Sequence, residues 1–224
     1  MIPVSAPPRV RSRLRNAPDG PVQVLHRGLD AIYVDVGGWC VGTVSHGATA
    51  LPCALRTSVS TLPEVTSVML RGGVLHLDRR PLKVGRLVDV AVPALRGGAR
   101  AAGEEMSSHE VAGLIGSGDG LTPYGDDVLC GWLAVHRSAG VETPGVDAAV
   151  RDNLGRTTTL SATLLDCALH GEVIPEFAAY VAALGSPHDE HTAAAALEAV
   201  GHTSGHGLLE GARRALEGLG RAAA

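Results

Sequence analysis

The feature that most limits what this chain can fold into is a change of texture near residue 100. Before it, short β-branched runs are punctuated by glycine; after it, alanine and leucine recur every three or four residues. Runs of strands followed by runs of helices define an α+β chain, an N-terminal mostly antiparallel β-sheet or small barrel followed by a C-terminal α-helical half. The segments 22–26, 31–36, 40–44, 67–70, 74–77 and 87–92 read as strands, with Arg71-Gly72-Gly73 as a tight hairpin turn. Arg9, Arg11, Arg13 and Arg15 alternate with Val10, Ser12 and Leu14. On a strand they would share one face, solvated or turned to an anion.

The transition at 93–103 divides the chain into 1–102, β-rich, and 103–224, helical. Helices are expected over 108–114, 126–138, 146–153, 158–170, 173–184, 188–200 and 204–217. Ser107 or Ser108 followed by Glu110 suits a helix start, and Gly185 with Pro187 marks a break between two helices. One Phe, three Tyr and two Trp leave the core to Ala, Val and Leu with closely packed backbones, so the two halves are expected to share a core.

A hydrophobic fraction of 45% with 19% charged residues is that of a globular chain. The net charge of −4 argues against nucleic acid as a partner, while leaving room for a small anionic substrate held by local positive potential. No apolar run approaches a membrane span, and no apolar stretch follows the N-terminal charges as in a signal peptide, so the expected location is the cytoplasm. Cys40, Cys53, Cys130 and Cys167 form no CxxC pair and read as small buried hydrophobes.

The segment 116–127, Gly-Ser-Gly-Asp-Gly-Leu-Thr-Pro-Tyr-Gly-Asp-Asp, is the most unusual stretch. Gly116, Gly118, Gly120 and Gly125 permit positive φ or close approach of the backbone to a ligand. The loop runs into an apolar helix, whose free N–H groups and positive dipole end suit an anion. Asp126 and Asp127 fall in the first turn, where a helix start favours acids; simple capping is the blander reading. Gly131 in mid-helix implies contact with another backbone. The loop has neither a Walker Lys-Ser/Thr end nor a dinucleotide fingerprint. Neither a cofactor nor a metal is expected, and magnesium on Asp119, Asp126 and Asp127 is the minority reading.

A second loop, Gly201-His-Thr-Ser-Gly-His206, echoes the first. Setting Gly125 on Gly205 places Leu129 on Leu209 and Gly131 on Gly211, so two similar helix N-termini can converge on one ligand. His202 and His206 have zinc-helix spacing, but capping at Thr203 or Ser204 would put His202 outside the helix and separate the pair. His202 then reads equally as a donor to substrate or as a structural residue. Thr157 or Thr158 suits a cap with Ser161 on the following turn, and Arg156 offers a fork for carboxylate or phosphate.

Taken in order, 116–127, Thr158-Thr159-Leu160-Ser161 and Gly201-His-Thr-Ser-Gly205 resemble the AllH family, linked to oxamate carbamoyltransferase. Its members carry Gly-Leu-Thr-Pro-Ser-Gly-Asp-Asp, Thr-Thr-x-x-Ser and a late Ser-Gly before a helix. The resemblance covers the C-terminal half; the N-terminal half agrees only in being strand-rich. It implies carbamoyl transfer between carbamoyl phosphate and oxamate, in purine or allantoin nitrogen catabolism, by one subunit of a multi-protein enzyme or a homo-oligomer. The matching positions are Gly118, Gly120, Leu121, Thr122, Pro123, Gly125, Asp126, Asp127, Thr158, Thr159, Ser161, Ser204 and Gly205; Asp119, Tyr124 and His206 depart from the pattern. Asp126 or Asp127 would orient the amide nitrogen or act as base, with His202 beside them. Two other classes compete: a non-catalytic ligand-binding or assembly subunit, and a metal-dependent hydrolase using the aspartates.

Overall fold

The computed structural model of the chain describes residues 1–95, 99–101 and 105–221, so the expected boundary at 102/103 lies outside the described residues. The chain divides into two compact units, Met1–Val90 and Ala91–Ala224.

The first unit contains β1 (Ile2–Ala6), α1 (Pro8–Asn16), β2 (Gly20–Pro21), β3 (Gln23–Arg27), β4 (Ala31–Asp35), β5 (Cys40–Val44), β6 (Ala54–Thr57), β7 (Val68–Arg71), β8 (Val74–Leu77) and β9 (Arg80–Leu87). They form one sheet in the order β2-β7-β8-β9-β1-β6-β5-β4-β3. Only β1·β9 and β5·β6 are parallel. The two outermost strands, β2 and β3, are separated in sequence by Val22 alone, whose N–H donates to the Val68 carbonyl at 2.9 Å. One continuous stretch of chain therefore serves both edges, and the sheet is a nearly closed barrel that leaves little open edge. Gly72 and Gly73, both at positive φ, make the expected two-residue turn between β7 and β8.

The arginine run corrects the sequence reading: residues 8–16 are the helix α1, not a strand. Pro8 starts it, and Val10 and Leu14, four residues apart, are its buried stripe. Arg9 and Arg13, also four apart, lie 5.8 and 5.4 Å from the centroid of the Trp39 ring. Alternating charge concealed a helical spacing in both sets. The expected strand 87–92 is also displaced, because β9 ends at Leu87. Its partner β1 ends at Ala6 before Pro7 and Pro8, and beyond Leu87 the Val88 N–H still reaches the Ala6 carbonyl at 3.0 Å. Pro3, Pro52 and Pro81 concealed β1, β6 and β9.

The second unit contains β10 (Ala99–Ala101), α2 (Ser108–Leu114), α3 (Tyr124–Ser138), α4 (Pro144–Asn153), a 3₁₀ turn (Leu154–Arg156), α5 (Thr159–Leu169), α6 (Pro175–Ala183), α7 (Pro187–Glu198), α8 (Ser204–Gly218) and β11 (Leu219–Arg221). All seven expected helices are present. Ser107 starts α2 with a reciprocal capping box to Glu110. Helix α3 is buried along nearly its whole length, its apolar run Val128–Val135 on every side, and packs on α2, α5 and α8. The four cysteines are buried and joined by no disulfide.

Candidate functional site

Glycine decides how α3 and α8 meet. A Cβ at Gly131 would overlap the Leu208 carbonyl and sit 3.1 Å from the Ala212 nitrogen. A Cβ at Gly211 would overlap the Val128 carbonyl and sit 2.9 Å from the Trp132 nitrogen, the same contacts with the helices exchanged. A Cβ at Gly207 would lie 2.8 Å from the Asp127 Cβ, at the centre of this local twofold relation. Contacts advance along both helices together, from Tyr124 and Gly207 to Trp132 and Gly211, so α3 and α8 run parallel. Their N-termini therefore lie side by side, where Thr122 Oγ1 and Ser204 Oγ are 2.9 Å apart. The repeat read between Gly125, Leu129, Gly131 and Gly205, Leu209, Gly211 is thus a spatial pairing.

Beneath that contact the two preceding loops enclose a cleft of about 590 Å³, lined by Asp119, Gly120, Leu121, Thr122, Tyr124 and Gly201–Ser204. The first N–H of each helix, on Tyr124 and on Ser204, has no backbone acceptor among the described residues. Both dipoles direct positive potential into the same space.

The loop owes its shape to Asp126, which is completely buried. Its Oδ1 accepts the Gly116 N–H at 2.9 Å, and its Oδ2 accepts the hydroxyls of Thr157 at 2.5 Å and Ser161 at 2.7 Å. Thr158 caps α5 by accepting the Ser161 N–H at 3.0 Å, and donates its own hydroxyl to the Leu121 carbonyl at 2.6 Å. Gly116, Gly118 and Gly120 take positive φ. Gly125 and Gly205 do not; they are required because a Cβ would overlap the carbonyls of Leu114 and Leu197. A Cβ at Gly118 would meet the Tyr124 nitrogen at 2.8 Å.

Asp127 differs from its neighbour. Its side chain is buried at 4% exposure, yet Oδ2 has no hydrogen-bond partner. Burial pushes its carboxyl up to about 8, against the lowering effect of a hydrogen bond from Ser204 and with a further rise from the Asp126 charge. Ser204 thus stands between the buried Asp127 carboxyl, whose titration it influences, and Thr122 at the cleft wall.

The structure places Gly120, Thr122, Ser204 and His202 on the cleft, and Asp127 outside its lining, next to Ser204. Gly118, Gly125, Asp126, Thr158, Ser161 and Gly205 lie within the scaffold that shapes it. Arg156 is outside the cleft lining: its guanidinium donates to the Ala112 carbonyl at 2.7 Å and to Asn153 Oδ1 at 3.1 Å. Among the described residues, no three His, Cys, Asp or Glu side chains form a metal-holding group, so Asp119, Asp126 and Asp127 are not brought together as one. His206 lines a separate cleft of about 380 Å³ with Glu198, Arg213 and Glu217, away from His202. Tyr124 and Glu210 line that second cleft too, joined by a hydrogen bond from the phenol, and Arg214 pairs with the same carboxylate. Nothing in the sequence signalled this link beyond Tyr124 being bulky for its place.

Residues 114–216 match the family described as oxamate carbamoyltransferase subunit AllH. The AllH resemblance carried by the three motifs therefore holds over both glycine loops and the helices between them, all within the second unit. No curated protein and no solved structure matches the chain. No helix among the described residues is long and apolar enough to cross a membrane.

Proposed function

We propose, from that family match, that this chain is the carbamoyltransferase subunit that seats a small anionic amide such as oxamate in the cleft between α3 and α8. The observation that carries the reading is the parallel pairing of the two helices, which brings two N-termini and the Thr122–Ser204 contact to one place.

Carbamoyl transfer joins an acceptor nitrogen to the carbonyl carbon of carbamoyl phosphate. Phosphate leaves with the electron pair of the C–O bond, and the nitrogen loses one proton. Charge develops first on the carbonyl oxygen and then on phosphate, so oriented N–H groups and helix dipoles favour the transition state. The N–H groups of Tyr124 and Ser204 supply such donors, while Thr122 and Ser204 orient the amide. Asp127 holds or accepts the proton through the Ser204 hydroxyl, and a carboxyl that titrates near the operating pH suits that exchange. Asp126 keeps the loop in place, and His202 donates from the rim. The setting of this reaction is the nitrogen catabolism of purines or allantoin.

A second reading, a ligand-holding subunit whose chemistry is completed by another chain, is favoured by the open rim, where Leu121 is 44% exposed and His202 is exposed. The test is calorimetric titration of oxamate and of carbamoyl phosphate into the wild type and the Asp127→Asn and Thr122→Val variants, each alone and with its partner subunits. Oxamate binding weakened in both variants is expected. Turnover only with partners would select the second reading, and oxamate binding equal in all three proteins would refute the cleft as its seat.

A further inference from the structure

The first unit carries a feature that owes nothing to the family match. In the sheet, β1 lies between β9 and β6, and Ser5 pairs with Arg86 on one side and with Arg56 on the other. Residues paired across strands project to the same face, so the two arginines flank the Ser5 hydroxyl in one row. Along β1 the residues before and after Ser5, Val4 and Ala6, are buried, so this row lies on the outer face.

Arg86 reaches that row only through an irregularity. Val4 pairs with Val84, but the next pair is Ser5 with Arg86, leaving Gly85 as an extra residue. In a regular ladder Ser5 would face Gly85, and Arg86 would project to the opposite side. A bulge that re-aims one side chain is the usual device beside a binding site. It here places a second positive charge on a face that already holds Arg56.

The space around the row is a cleft of about 490 Å³ that also includes His46, Thr57 and Ser58, with no Asp or Glu in its lining. Arg56 is held by donation to the Ala50 carbonyl at 3.1 Å. Residues 1–90 contain eleven Lys and Arg against six Asp and Glu, although the whole chain is at −4. Flanking strands of such a row are about 9.5 Å apart, a gap that two arginine side chains close around one small ion.

The register points to a second anion site, in which Arg56 and Arg86 clamp a small phosphate-type dianion over the Ser5 hydroxyl. A tetrahedral ion presents oxygens to both forks and a further one to the serine. The nearby hydroxyl of Ser58 and the ring of His46 supply additional donors. The ligand is free phosphate or the phosphate end of a small metabolite, and a planar dicarboxylate fits less well because its oxygens lie in one plane.

The test is titration of inorganic phosphate, and separately of oxalate, at constant ionic strength into the wild type, Arg86→Gln, Arg86→Lys and Asp127→Asn. Arg86 is exposed and its replacement leaves the core intact; the far-ultraviolet spectrum checks folding. Saturable phosphate binding is expected, weakened at least about tenfold in Arg86→Gln, partly restored in Arg86→Lys and unchanged in Asp127→Asn. Phosphate binding equal in Arg86→Gln and wild type, absent from both, or abolished by Asp127→Asn alone would overturn the site. Tighter binding of oxalate than of phosphate would overturn the ligand class. Oxamate titration reads the helical cleft instead, so the two readings fail separately.

Discussion

The parallel packing of α3 and α8 rests on glycines that cannot be enlarged, and Gly131→Ala tests this by the sign of its effect. In a free helix interior, replacing glycine by alanine stabilises by about 1 kcal/mol. At Gly131 the new methyl would overlap the Leu208 carbonyl, a backbone group fixed in α8 that has no rotamer with which to move aside. Inserting a methyl into a packed interior costs about 1–3 kcal/mol, and an immovable backbone contact belongs at or above the upper end. The overlap therefore outweighs propensity, and the expected net loss is about 2 kcal/mol. Gly113→Ala is the control: it lies in α2, is exposed, and its added Cβ would meet nothing within 4 Å, so a gain of about 0.5–1 kcal/mol is expected. The assay is urea unfolding in a Trp39→Phe background, which leaves Trp132 of α3, 6% exposed, as the only tryptophan. Opposite shifts of the midpoint support the argument. A Gly131→Ala protein as stable as its parent would refute it.

Two further expectations concern the adjacent aspartates. Burial raises Asp127 to about 8 in the folded protein, against about 3.9 in an unfolded chain, so the native state favours the protonated form. Its contribution is complete below about pH 4 and is lost as pH rises towards 8; Asp127→Asn should flatten that part of the stability profile, and superimposable profiles would contradict the assignment. Asp126→Ala leaves the Gly116 N–H and the Thr157 and Ser161 hydroxyls without their acceptor, for an expected loss of about 3 kcal/mol. Hydrogen exchange at the Gly116 amide reports it directly, and unchanged protection there would mean that the loop is held by other contacts.

Much of the second unit was legible because its signals are local. Ser107 with Glu110, Thr158 with Ser161, and the apolar run after residue 124 each specify a helix start through contacts three or four residues apart. The first unit was harder to read. Its arginine alternation suggested a strand, but the burial of Val10 and Leu14 made a helix; β1 and β9 carry prolines that read as breaks, and Pro52 stands just before β6. Their pairings join residues far apart in sequence, and no local pattern encodes them.

The same division runs through the candidate site. The sequence by itself determined that a glycine-rich acidic loop enters a buried helix, that a second loop repeats the pattern, and that Gly131 meets another backbone. These follow from residue type and spacing, which act through the chain's own conformation. Only the tertiary structure decided that α3 and α8 run parallel, and that Asp126 is enclosed by three donors while Asp127 keeps an unpartnered oxygen. Two carboxyls adjacent in sequence project about 100° apart around the helix and meet different neighbours, so burial and partners separate what composition leaves identical.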